Sequence, residues 1–171
     1  LASVGATDWI YCLFLWTVLG LTQGFSTFVA RFFGEKREED LNKSIAASIL
    51  LCAFFALLLT GIGLLTVRPL LSLLNTPTDI FDGAALYLTT MICGTPVIMA
   101  YNMAASILRA FGDGRSPLFA MVIAATLNIG LDLLLVFVFR LGILGAALAS
   151  VLSQLISFTY CLWILRGYSV F

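Results

Sequence analysis

Asn128 and Asp132 stand four residues apart inside the apolar run TLNIGLDLLLVF. On a helix that spacing puts both side chains on one face, about 40° apart around the axis. A carboxylate at membrane depth costs roughly 2.5–3.5 kcal/mol on insertion scales, so such residues mark ion and substrate pathways. Its own run supplies no lysine or arginine to pair with it, and Arg140 comes only at the far edge. An isolated acid in such a medium takes up a proton or a cation readily, and the neighbouring amide oxygen offers Na⁺ a second ligand or a protonated acid a hydrogen-bond partner. The plainer alternative is an aspartate bonded to a neighbouring helix for packing alone.

Other polar residues lie on helical faces. Thr95, Asn102, Ser106 and Arg109 form one stripe, and Tyr101 and Asn102 sit near Pro96, where they could line a cavity. Gln23, Ser26 and Thr27 make a polar face early in the chain, and Ser150, Gln154 and Ser157 make another near its end. Gly145, Ala149 and Ser153 repeat every four residues, the small-residue pattern that lets helix backbones approach closely. Helix packing alone accounts for most of these hydroxyls. Asp8 falls at the edge of a span, where a carboxylate is ordinary. The sequence has no histidine, which excludes imidazole bases and His-ligated metals. Cys12, Cys52, Cys93 and Cys161 are dispersed in apolar runs, where a free cysteine behaves as a small hydrophobe.

The elements that must position these residues are membrane helices. Of 171 residues, 61% are hydrophobic and 11% charged, against about a quarter charged in soluble domains, and the mean hydropathy is +1.09. A helix needs about 20 apolar residues to cross a bilayer, and five runs qualify, at about 9–33, 43–67, 83–110, 118–139 and 143–165. The expected fold is therefore an all-α, polytopic bundle of five spans forming one transmembrane domain. Arg68-Pro69 is expected to end the second span. Thr76 and Pro77 are expected to open the third, with Asp79 reaching back in an acidic variant of the capping box. Gly94 and Pro96 predict a kink within it. Ser116 is the expected cap of the fourth span, Pro117 its first residue, and Arg140-Leu141-Gly142 a turn.

Basic residues in short loops set orientation. Arg31, Lys36, Arg37, Lys43, Arg109, Arg115 and Arg166 share one face, and Arg68 and Arg140 the other. Loops 34–42 and 111–116 are thus expected in the cytoplasm and residue 1 outside. An outside start without a basic leader implies a preceding helix. The apolar runs imply a lipid bilayer as the chain's partner, and nine basic residues against nine acidic ones give no sign of a nucleic-acid partner.

Four stretches together resemble the amino-terminal lobe of the multidrug and toxic compound extrusion (MATE) transporters. They are GLTQGFSTFVARFFG (20–34), LNTPTDIFDGAALYL (74–88), ILRAFGDGRSP (107–117) and NIGLDLLLVFVFRLGILGAALASVLSQ (128–154). The resemblance implies helices two to six of a twelve-helix transporter of the cell membrane, with helix one and a second lobe elsewhere in the same protein. It implies export of cationic or amphipathic compounds in exchange for H⁺ or Na⁺, with no other cofactor and no enzymatic activity. Asn128 and Asp132 match an Asn and an Asp that one branch of the family carries on its fifth helix as ion-coupling residues. Arg31 stands where many relatives have glutamine. Within the superfamily, a lipid-linked oligosaccharide flippase would favour a wider, more basic cavity. A non-transporting assembly subunit would also fit an isolated Asn-Asp pair. A membrane enzyme would show clustered His, paired metal-binding Asp or a Ser dyad, and the sequence has none.

Overall fold

The computed structural model describes residues 2–168, with the side chains of 2–8 and 10 outside the description, Asp8 among them. Six α-helices and one π-helical segment follow in order: α1 Ala2–Gly34, α2 Glu38–Leu73, α3 Thr78–Cys93, α4 Thr95–Ala110, α5 Arg115–Asp132, the π segment Leu133–Val138, and α6 Gly142–Leu165. Four continuous helical stretches are long and apolar enough to cross a membrane: Tyr11–Gly34, Glu38–Leu73, Arg115–Val138 and Gly142–Leu165. Helices α3 and α4 add a fifth span, bent by 43° at its break. The expected all-α bundle is what the sequence folds into, but several boundaries move.

The break in the third span sits at Gly94, with Pro96 in the first turn of α4, where its missing N–H costs no hydrogen bond. A Cβ at Gly94 would collide with the Cγ2 of Val151, so the bend and the close approach of α6 depend on the same glycine. Arg68-Pro69 does not end α2, which runs on to Leu73. The added turn buries Leu71 completely against Ala84, Ala85, Leu88 and Ile92, and that apolar burial offsets the bond lost at proline. Helix α3 starts at Thr78, one residue beyond the expected Pro77, and no side chain caps it: Pro77 (φ −55°, ψ 141°) stands at the cap position in place of Thr76.

Ser116 does not cap α5 either. Asp113 Oδ1 accepts from the backbone N–H groups of Arg115 and Ser116, at 3.1 and 3.0 Å, so the capping acid precedes the helix start at Arg115. Bonds from the hydroxyl and backbone N–H of Ser116, with those of Arg115 and Tyr168, hold the Asp113 carboxyl below the usual carboxylate range. The same end of the bundle is clasped by rings, Phe33 on Phe111 at 5.0 Å and Phe111 on Tyr168 at 5.3 Å. The main core lies between α1, α2, α4 and α6, around Val18, Val29, Cys52, Met99, Leu108 and Cys161. Large apolar side chains such as Leu50, Leu57, Leu65, Phe119 and Phe137 are turned outward, as a lipid-facing surface requires.

Candidate functional site

Helices α5 and α6 run antiparallel, joined by a turn in which Arg140 adopts a left-handed φ of 54° and Gly142 one of 55°. They approach closely: a Cβ on buried Gly145 would lie 3.1 Å from the carbonyl of Leu135. Gly145, Ala149 and Ser153 are all buried, as their spacing suggested. Ser157 Oγ donates to the Ala120 carbonyl at 2.9 Å, one of the two side-chain bonds that fix the register.

The other bond is made by Asn128. Asn128 Nδ2 donates to Ser150 Oγ at 3.2 Å, and Ser150 Oγ donates in turn to the Ala146 carbonyl at 3.2 Å. With its N–H₂ so engaged, the amide keeps its oxygen as a free ligand or acceptor. Asp132 lies one turn further along the same face. Its Oδ1 is buried and has no hydrogen-bond partner. The carboxylate therefore does not serve as interhelical glue through that oxygen, the role the packing alternative assigned to it.

Directly after Asp132 the chain passes into the π segment. A π turn inside an α-helix is energetically poor and recurs at functional sites. Nothing in LLLVFV announces it, since the hydrophobic pattern of one wide turn matches that of an ordinary one.

Gln154 Oε1 is the second buried oxygen without a partner. The register keeps it away from Asp132. On antiparallel helices aligned by Asn128–Ser150 and Ala120–Ser157, Asp132 lies a turn toward the connecting loop and Gln154 a turn away from it. One turn each way, about eight residues in all at 1.5 Å per residue, separates them by roughly 12 Å along the axis, too far for one ion to touch both. Gln154, a possible cavity-lining residue by sequence, lines neither of the two cavities described below, and Ser150, by sequence only part of a polar face, is the residue that bonds Asn128.

Two cavities open elsewhere. One, of about 390 Å³, lies between α2, α4 and α6 and is lined by apolar side chains including Ile49, Ala56, Pro96, Met103 and Phe158. The other, of about 490 Å³, lies between α1 and α4 and takes in Gln23, Ser26, Thr27, Ser106 and Arg109. Gln23 lines the second of these cavities. Asn102 is half-buried and turns its amide onto the Ile98 carbonyl of its own helix at 2.8 Å, and Tyr101 packs against the main core. Neither lines either cavity.

A family model described as MatE matches residues 1–134. A Bacillus subtilis (strain 168) protein named probable multidrug resistance protein YpnP is 34% identical over 154 residues, covering 86% of this chain and 34% of its own length. A Shewanella oneidensis protein named FAD transporter is 29% identical over 161 residues, covering 92% of this chain and 36% of its own. A solved structure described as the inward-facing conformation of a multidrug resistance MATE family transporter of the MOP superfamily superposes with a TM-score of 0.93. It is 25% identical and covers 99% of this chain and 38% of that one. The chain thus spans about a third of the length of the curated relatives it matches.

Proposed function

Because the chain belongs to the MATE family of membrane transporters, we propose that it forms part of a secondary active antiporter exporting cationic or amphipathic small molecules in exchange for H⁺ or Na⁺. Asp132 is the coupling residue and Asn128 its neighbour. The observation that carries this reading is the buried, unpartnered Oδ1 of Asp132 at the edge of a π turn. A proton bonds to that oxygen or Na⁺ ligates it, and the Asn128 oxygen one turn away supplies the second contact. Loops 34–42 and 111–116 face the cytoplasm of a cell-membrane protein in this reading, as the basic residues there favour.

The step follows from charge. With Asp132 ionised, an apolar helix interface holds an uncompensated carboxylate, which disfavours tight closure of the π turn on α6. Binding of H⁺ or Na⁺ from outside removes that charge and lets the two helices close. The free-energy difference that drives transport is then the difference in ion affinity between the two arrangements.

The test is Asp132→Asn in a full-length transporter carrying this segment, reconstituted in vesicles with a fluorescent cation. Ion-driven efflux is expected to be abolished while membrane insertion stays normal. Efflux at the unmodified rate would overturn the assignment.

A further inference from the structure

The cavity between α1 and α4 has a chemistry unlike that of a cation pocket. Its polar lining is Gln23, Ser26, Thr27, Ser106 and Arg109, and its other walls are Gly24, Ala30 and Ala110, so neither a carboxylate nor a large apolar side chain lines it. Arg109 is held by Ser106, whose Oγ accepts from Nη2 at 2.8 Å and which is only 2% exposed. That anchor leaves the rest of the guanidinium fork free. Near the same end, Arg31 pairs with Glu35 at 2.9 Å and Lys43 with Glu39 at 2.7 Å, and Arg37 pairs with Asp40. Arg109 has no carboxylate partner among the described residues. Asp113, the nearest acid along the chain, is engaged by Arg115, Ser116 and Tyr168.

The rest of the site points the same way. The Gln23 side-chain amide has no hydrogen bond among the described residues and adds neutral donors. Ser26 and Thr27 rest their hydroxyls on the Gln23 carbonyl, at 2.9 and 3.1 Å, a weak arrangement that rotation can release. On α1 the exposed positions beside the cavity, Gln23, Gly24, Thr27 and Ala30, are small or polar, whereas Trp9, Leu13 and Trp16 project from the same face nearer the helix start.

We propose that this cavity binds a phosphoryl anion, gripped by the free edge of the Arg109 guanidinium and the Gln23 amide. A guanidinium matches phosphate oxygens in bidentate geometry, and basic pockets between membrane helices hold phosphorylated head groups. At about 490 Å³ the cavity is larger than inorganic phosphate needs and suits a phosphate carrying an organic group. That group is either a lipid head group or a soluble phosphorylated compound.

The experiment measures binding of two probes to a full-length transporter carrying this segment: phosphatidylglycerol, by lipid retention in native mass spectrometry against phosphatidylcholine, and adenosine diphosphate, by titration. Arg109→Gln is expected to weaken at least one probe about tenfold, the loss of one charge-assisted contact. Arg115→Gln removes an exposed charge at the same end outside the cavity and is expected to change neither probe beyond about twofold. Loss of phosphatidylglycerol alone identifies a lipid site, and loss of adenosine diphosphate, with or without the lipid, identifies a soluble ligand. If Arg109→Gln fails to fold, exposed Gln23→Leu serves as the second variant, with a smaller loss in the same probe. The proposal is overturned if neither probe responds to the cavity variants, or if Arg115→Gln weakens binding as much as Arg109→Gln, which would make the effect general surface charge.

Discussion

The interfaces of α2 and the interface of α5 with α6 both bury polar side chains among apolar ones, and they treat them differently. Along α2 each of these groups closes on a carbonyl: Thr60 Oγ1 on Ala56 at 2.7 Å, Ser48 Oγ on Phe25 at 3.4 Å and Cys52 Sγ on Met99 at 3.7 Å. Between α5 and α6 the bonding is left incomplete. Asn128, Ser150 and Ser157 find partners, but Asp132 and Gln154 each keep a buried oxygen without one. A satisfied hydroxyl costs a membrane helix little and fastens it to a neighbour. An unsatisfied carboxylate oxygen works against folding, so selection for stability alone would have replaced it. The comparison separates polar groups that hold this bundle together from those it carries for another purpose.

The largest expected effect breaks that comparison most directly. In a full-length transporter, Asp132→Leu should abolish ion-driven efflux and yet raise stability by about 1–3 kcal/mol, since the buried acceptor is lost. Ser48→Ala, at a satisfied site, should leave efflux intact and lower stability by about 0.6 kcal/mol. Melting in detergent alongside vesicle efflux reads both quantities. If both variants lose stability, Asp132 is packing glue and the distinction between the two regions falls.

Next in size is a test of how α6 is held on its other side. Gly94→Val would drive a side chain into Val151 and should destabilise by about 1–3 kcal/mol, the usual cost of overpacking. Adding Val151→Ala should restore most of the loss, because the two positions share one space. Failure of that rescue in a melting experiment would mean that the α3–α4 bend depends on glycine's backbone rather than on the approach of α6.

These residues also show what could be read without coordinates. The spans were legible because composition and run length alone decide what crosses a bilayer, and Asn128 with Asp132 stood out because a charge at depth is costly wherever it falls. Helix ends were less legible. Leu71 keeps α2 going past Pro69 because it is buried against α3, and no local signal at Arg68-Pro69 contains that tertiary contact. The separation of Gln154 from Asp132 depends on the register of α5 against α6, which is fixed by bonds between residues 22 and 37 positions apart in sequence. Ser116 looked like the cap by its place before Pro117, but the acid three residues earlier in the loop makes the stronger bonds.

That acid gives a pH-dependent contrast with Asp132, since Asp113 has its partners and lies outside the spans. Asp113→Ala should cost about 1 kcal/mol near neutrality, the typical value of a lost helix cap. The sign follows from its lowered folded value: the stabilisation is full above the unfolded value of about 3.9 and is lost as pH falls through the folded one. Melting of the two proteins should therefore begin to converge as pH falls below about 4 and coincide once the pH lies below the folded value. A gap that persisted there would show that the neutral acid caps α5 as well as the carboxylate does.

The smallest effect lies in the turn that sets the α5–α6 register. Arg140 holds a φ of 54°, a left-handed conformation that costs an L-residue about 1–2 kcal/mol and a glycine nothing in sterics. Glycine gives back part of that gain through the larger entropy it loses on folding, about 0.5–1 kcal/mol. Arg140→Gly should then stabilise by about 0.5 kcal/mol, seen as a slightly higher melting temperature with efflux unchanged. The result sharpens the contrast between the two oxygens left open and the loop above them. If relaxing the turn also slows efflux, strain in the loop acts on the ion site, which then extends beyond the side chains that face it.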